Sequence, residues 1–365
     1  MSKVNTMEIG SIFEIDPINI IKNKNKTIPM LPIQKKSTYF AYYFNTGRTA
    51  IEVLLKKLRN KGFSKVLIPS FLCDSVREAA LRAGMELKYY RVNADLSLDT
   101  RTINMEEDCI LYIVQFFGQR ITPEVQSLIK QYQQKGYPVV EDISLSLLSD
   151  DDKYVGFGDY IIGSLRKWLP IVDGGILLTK EYYNYRLADA ANDYTLYYFT
   201  AQLLKEIYLK EEVQDKEWKN TFLSYNNDGM KALFNDYTLR KMSRISLDLM
   251  RGIDFEAIRE RRIMNYDLLN SLLYSIPQIK VLVDRKGMMT PLGMIVLCEQ
   301  RDDLVKHLIA RDIYCNVHWR SNESTKQFQE SAFLADRCIT IPCDQRYGEK
   351  EMHYIFQSIA DYYGV

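Results

Sequence analysis

The sequence predicts an α/β protein whose large domain is built on a mostly parallel sheet flanked by helices. Three observations predict it. Strand-sized apolar runs alternate with helical patterns between Thr49 and Thr179, and those runs end in polar or turn residues. Hydrophobic residues make up 47% of the 365, ample for a sizeable core and for a second, smaller domain.

Residues 1 to about 40 read as an N-terminal arm, exposed and carrying the basic, Asn-rich stretch Lys22 to Lys26. The large domain, 41–250, opens with a helical pattern from Thr49 (Ile51, Leu54, Leu55, Leu58) that Gly62 is placed to stop. The strand 66–69 follows, then a helix from Asp74 to Gly84, a strand at 87–92, the apolar run 110–118, a helix from Pro123 and a strand at 137–142. Two more strands, 159–165 and 174–179, flank a segment rich in Lys, Trp, Pro and Gly. Residues 181–235 are helical in pattern and crowded with tyrosine, which suits core packing first and a subunit interface or a substrate wall after it. The amphipathic run Phe255 to Leu273 bridges to a small α+β C-terminal domain, 251–365, with strands near 292–298 and 338–342 and helices near 301–311 and 349–363.

Composition narrows the function. Lys+Arg 48 against Asp+Glu 47 leaves a net charge of +1, so no global field draws nucleic acid or an anionic membrane, and a small-molecule substrate is expected. The longest apolar run, Cys109 to Phe117, falls far short of the roughly 20 residues that cross a bilayer. The N-terminus has no basic start, apolar run and cleavage site of a secretory signal, so a cytoplasmic protein is expected. Six cysteines without a C-x-x-C pair and three dispersed histidines suggest neither a disulfide framework nor a metal site.

In open α/β sheets, ligands gather beyond the carboxyl ends of strands. Asp142 ends the strand 137–142; alone it could equally cap a helix or pair with a lysine. Lys167, in GSLRKWLPIVDGG between two apolar strands, changes the balance. A lysine that forms an imine needs a dry, shaped site, and the cofactor it holds needs an acid beside its ring nitrogen. Lys167 and Asp142 fit those roles. A phosphate would suit the backbone N–H groups of Gly47, Arg48 and Thr49 at the start of the first helix, where Gly47 allows close approach.

These residues, in this order, resemble the DegT/StrS-type sugar aminotransferases, pyridoxal 5′-phosphate enzymes of the aspartate-aminotransferase fold. The resemblance runs through Gly47-Arg48-Thr49-Ala50, Ile68-Pro69-Ser70-Phe71, Glu141-Asp142 and Lys167 before Asp173-Gly174-Gly175. It continues more weakly in Lys241-Met242-Ser243, Arg261 to Tyr266, Val317-His318-Trp319 and Ile341-Pro342-Cys343, and so covers most of the chain. It implies that Lys167 holds the cofactor and shuttles a proton, and that Asp142 keeps the pyridine nitrogen protonated. Gly47 and Arg48 would cradle the phosphate and Ser164 would add a hydroxyl, while Arg166 and Trp168 either line the pocket or pack beside it. It further implies a homodimer with active sites near the subunit boundary. The implied activity moves an amino group from an amino acid, glutamate, to a keto-sugar, nucleotide-linked, in amino-sugar or surface-polysaccharide biosynthesis.

The chain departs from the family at three places. Leu145 stands where a glutamine or histidine serves the cofactor's phenolic oxygen, leaving Ser144 or Ser146 to substitute. Cys73 stands where an aromatic side chain covers the ring, with Phe71 two residues earlier as the other cover. The asparagine that reaches the neighbouring subunit's phosphate is replaced around Leu239 and Arg240. A sugar dehydratase of this scaffold carries histidine at the lysine position, which Lys167 opposes. A non-catalytic binding or regulatory relative is the other alternative, with Leu145 as its support.

Overall fold

A seven-stranded sheet organises the first half of the chain. Across it the strands are ordered Phe40–Phe44, Gly175–Thr179, Tyr160–Ser164, Val139–Asp142, Cys109–Val114, Lys65–Pro69 and Glu86–Tyr90. The last five pair in parallel, while Gly175–Thr179 runs antiparallel to both of its neighbours. The computed structural model describes residues 8–36, 39–149, 155–190, 192–210, 216–283, 289–322 and 325–365. Cys109–Val114, Val139–Asp142 and Gly175–Thr179 are buried at every position because helices cover both faces, so Cys109–Val114 reads as a continuous apolar run and Val139–Asp142 as an apolar start closed by two buried carboxylates.

The helix Gly47–Asn60 buries Ile51, Leu54, Leu55 and Leu58, the four residues of the predicted apolar stripe. Each such side chain stabilises the fold by about 1.5–3 kcal/mol. Thr46 caps this helix by accepting from the Thr49 N–H, and Thr122 does the same for Pro123–Gln134, whose first residue is the proline that needs no N–H partner there.

Two elements differ from the sequence reading, and the tyrosine-crowded stretch agrees with it. Phe40–Phe44 is an edge strand, at the border of the expected arm; beyond it, among the described residues, lies only a bridge from Phe44 to Lys241, and its mostly half-buried side chains give neither a clean alternation nor an apolar run. Lys22, Lys24 and Lys26 are exposed as read, yet Glu8 to Gly10 are buried, with Ile9 and Gly10 paired in parallel to Ile313 and Tyr314. A buried ion pair fastens this end: Lys205 Nζ lies 3.1 Å from Glu8 Oε1 and donates to the carbonyls of Gly10 and Ile12. The tyrosine-crowded stretch forms two helices, Asp193–Lys210 and Lys216–Asn235, in or before which Tyr183, Tyr194, Tyr198 and Tyr208 are buried as packing.

The C-terminal part holds the antiparallel sheet Cys338–Ile341, Met294–Leu297, Lys280–Val281 beside the helices Phe255–Leu273, Arg301–Ile309, Gln329–Arg337 and Glu349–Tyr363. Among the described residues no helix is long and apolar enough to cross a membrane.

Candidate active site

Parallel strands deliver their C-terminal residues to one edge of the sheet. Asp142 ends its strand in register with Val114 on one side and Ile162 on the other. The strand carrying Ile162 ends at Ser164, and a single tight turn, Leu165–Lys167, follows. Asp142 and Lys167 therefore leave neighbouring strands at the same edge. Both line one cavity of about 210 Å³, together with Thr46, Gly47 and Arg48 from the start of the first helix.

The carboxylate of Asp142 is buried and held from two sides. The Tyr112 hydroxyl donates to Oδ2 at 2.6 Å and the Ser144 N–H donates to Oδ1 at 2.8 Å. Burial, and then the Asp142 charge, hold the Tyr112 phenol well above its ordinary pKa, so it stays a donor. Glu141, its neighbour in sequence, does a different job. It accepts from the N–H groups of Gly156, Phe157 and Gly158 and from the Gln115 amide, and so fixes the return loop.

The end of the cavity at the start of the first helix is built by close packing. Gly174 N–H donates to Asn45 at 2.7 Å, and a Cβ on Gly175 would lie 2.2 Å from the Thr46 carbonyl oxygen, so only glycine lets this turn touch the sheet. Thr46 takes the N–H of Thr49. Gly47 and Arg48 N–H groups bond no other described residue and remain at a helix N-terminus, where an anion is stabilised by donors and dipole together. The Arg48 side chain turns elsewhere and donates to the carbonyls of Leu233 and Asp236.

The other expected residues divide between wall and support. Ser164, Ser144, Leu145 and Cys73 line the cavity. Ser146 is buried and donates to Gln115 Oε1 at 2.8 Å, which leaves Ser144 as the serine facing the cavity beside Leu145. Phe71 sits behind the wall, its ring against Phe116 and Trp319. Trp319 lines the cavity instead, so an aromatic wall is present, supplied from the C-terminal part. Trp168 is a buried brace: its Nε1–H donates to the Ser144 carbonyl at 3.0 Å and the Arg262 guanidinium lies 4.6 Å from its ring centre. Arg166 lines the cavity. Asp173 anchors the segment around Met242, accepting from Ser243 through N–H and hydroxyl.

A second, more polar cavity of about 430 Å³ shares Arg166, Lys167 and Met230 with the first. Gly10 to Phe13, Asn226, Asn316, His318 and Thr340 contribute to its wall. His318 Nδ1 and Thr340 Oγ1 are 2.8 Å apart; burial, and then the nearby Lys167 ammonium, pull the imidazole down to about 3, so it stands neutral beside Lys167. Tyr112, His318 and Trp319 were not singled out as site residues from sequence. Tyr112 left a signal in its hydroxyl inside an otherwise apolar buried strand, and His318 and Trp319 in the family-like segment Val317-His318-Trp319.

The donor set suits a phosphorylated pyridine aldehyde: backbone N–H groups for a dianion, a fixed carboxylate for a ring nitrogen, and an amine for a carbonyl carbon. No group of three or more His, Cys, Asp or Glu able to hold a metal occurs among the described residues.

Solved structures share the fold. Spr1654, a putative sugar aminotransferase from Streptococcus pneumoniae, is similar in its PLP form at 14% identity over 97% of this chain and 98% of that one, with TM-score 0.66. CalS13, a sugar aminotransferase from Micromonospora echinospora, is similar at 12% identity over 97% and 100% of the two chains, with TM-score 0.66. The aminotransferase TlmJ from Streptoalloteichus hindustanus gives 11% identity, 97% and 98% coverage and TM-score 0.66. At such identities the likeness speaks for the fold alone. No curated protein matches the chain in sequence. The model of the DegT/DnrJ/EryC1/StrS aminotransferase family matches residues 37–360, almost the whole chain, and the protein therefore belongs to this family of pyridoxal-phosphate-dependent aminotransferases.

Proposed function

We propose that the enzyme moves the amino group of an amino acid, glutamate, onto a keto-sugar carried by a nucleotide, as a step in making amino sugars or surface polysaccharides. The observation that carries this reading is the convergence of Lys167, Asp142 and the open N–H groups of Gly47 and Arg48 on one cavity. Bound pyridoxal phosphate supplies an electron sink that lets the amino-bearing carbon release its proton. Lys167 Nζ holds the cofactor at rest and then carries that proton to and from the substrate carbon. Asp142 keeps a proton on the ring nitrogen, Gly47 and Arg48 hold the phosphate through N–H groups, and the Ser164 hydroxyl adds a donor. Cys73, Trp319 and Leu145, which line the same cavity, would stand as its apolar wall around the ring. The Ser144 hydroxyl is the group left to serve the phenolic oxygen.

A sugar acceptor is supported by the second cavity, whose Asn226, Asn316, His318 and Thr340 offer donors and acceptors to a polyhydroxylated ligand next to Lys167. The names of Spr1654 and CalS13 point the same way. Mixing the cofactor-loaded protein with glutamate is expected to exchange its yellow absorbance for that of the amino form and to yield one equivalent of 2-oxoglutarate. A keto-sugar nucleotide should then restore the yellow form. If neither glutamate nor any other amino acid changes the spectrum, the reading fails and the non-catalytic alternative takes its place.

The assembly we propose is a homodimer, in the cytoplasm. Tyr182, Leu196 and Phe234, and Tyr237 just beyond them, expose large apolar surfaces, and Lys241 is paired, among the described residues, only with the exposed Asp189, at the surface where a neighbour would sit. Light scattering is expected to give twice the 42.8 kDa mass of one chain. An active species of single-chain mass would overturn the shared interface.

A further inference from the structure

Three arginines line the larger cavity, and two are already committed. Arg262 donates to the Gln345 side chain and to the carbonyls of Pro291 and Leu292. Arg346 forks onto Asp344, with both contacts at 2.9 Å. Arg166 has no such partner. Among the described residues it makes no ion pair; its guanidinium lies 5.4 Å from the centre of the Tyr198 ring, and the hydroxyls of Tyr194 and Tyr198 are its polar company. The Tyr194 hydroxyl is itself spent on the Val172 carbonyl at 2.8 Å.

A guanidinium keeps its charge at any ordinary pH and presents five donors in a planar fork that matches a carboxylate. Phenol dipoles satisfy some of those donors; the one carboxylate that acts on the charge, Asp173, does so without an ion pair and is engaged by Ser243, and the next residue, Lys167, adds a second cation. The arrangement is completed by an anion. We propose that Arg166 binds the α-carboxylate of the amino donor and thereby makes the enzyme select amino acids over simple amines. This rests on the reading of Lys167 as the reacting lysine.

The position decides which anion. Arg166 precedes Lys167 and lines the same two cavities, so an anion on its fork stands within a side chain's reach of the reacting amine. The α-carboxylate is attached to the very carbon that loses its amino group. The diphosphate of a nucleotide-linked sugar is held away from the keto carbon by the sugar ring.

The test compares the wild type with R166Q and R166K, each loaded with cofactor. Calorimetric titration uses maleate as an unreactive dicarboxylate and uridine diphosphate as the phosphate probe; single-turnover rates use glutamate and benzylamine. R166Q is expected to bind maleate and to react with glutamate about 10- to 100-fold more weakly, the effect of losing a charged hydrogen-bonding partner. Uridine diphosphate affinity and the benzylamine rate should stay within about twofold, and R166K should recover part of the loss. Equal losses with glutamate and benzylamine would show that Arg166 only shapes the site. Weakened uridine diphosphate binding with unchanged maleate binding would give Arg166 to the acceptor instead; either result overturns the proposal. If the wild type reacts with no amino acid, the transfer reading fails, while maleate binding still decides the carboxylate site. Should R166Q fail to fold, R166K decides, since it keeps the charge and lacks the fork.

Discussion

Replacing Lys167 by alanine is expected to lower turnover by roughly a thousandfold or more, the scale seen when a covalent catalytic group is removed. Borohydride treatment of the wild type should fix the cofactor to Lys167, and peptide mass spectrometry of the variant should find no labelled lysine. Stability should move the other way. Lys167 has no hydrogen bond or ion pair with the described residues, it stands next to Arg166, and its charge already depresses His318. Losing it relieves like charge in a partly buried site, so the variant lacking cofactor should melt no lower than the wild type lacking cofactor, a common pattern where activity demands a strained site. A label on another lysine, or a variant that still turns over, would remove Lys167 from the reaction.

Asp142→Asn is expected to lower kcat by about 10²–10³-fold, the range found for loss of one preorganised electrostatic group. The change keeps the shape of the side chain, and its oxygen can still accept from the Ser144 N–H, so the fold should stay close to wild type. What disappears is the negative charge that favours a protonated ring nitrogen. Asp142→Ala should lose as much activity and also destabilise the protein by about 1–3 kcal/mol, because the buried Tyr112 hydroxyl then loses its acceptor. Steady-state kinetics and thermal melts on the two variants separate charge from structure. Near-normal kcat in Asp142→Asn would show that another acid serves the ring.

Much of the sheet was legible in the sequence because strands covered on both faces are apolar throughout. Val139–Asp142 ends where the apolar run meets its carboxylates, and Gly175–Thr179 begins at the glycine pair that the sequence marks. The helix Phe255–Leu273 agrees with the reading residue for residue, since Asp254 caps it by accepting from the N–H groups of Glu256 and Ala257. Legibility failed where position depends on a distant segment. Phe71 stands two residues before Cys73 and so is a ring cover by position, but a tertiary contact turns it toward Phe116 and brings Trp319 to the cavity from a distant part of the sequence, which no periodicity encodes. Ser144 and Ser146 are alike in sequence, and only the buried Gln115 amide tells them apart. Residues 8–10 carry too few side chains to announce a strand, and the partner that buries them lies near the other end of the chain.

That pairing bears on the order in which the enzyme comes into being. The Gly10 N–H donates to the Tyr347 hydroxyl at 2.6 Å across 337 positions of chain. Closing so long a loop gains nothing until the intervening chain is ordered, so contacts of this span form late. Asp142, Lys167 and the N–H groups of Gly47 and Arg48 all lie between Thr46 and Lys167, in segments synthesised before Tyr314 and Tyr347. A ribosome making this protein thus lays down the segment that carries Asp142 and Lys167 well before it adds Tyr314 and Tyr347, against which Gly10 is held.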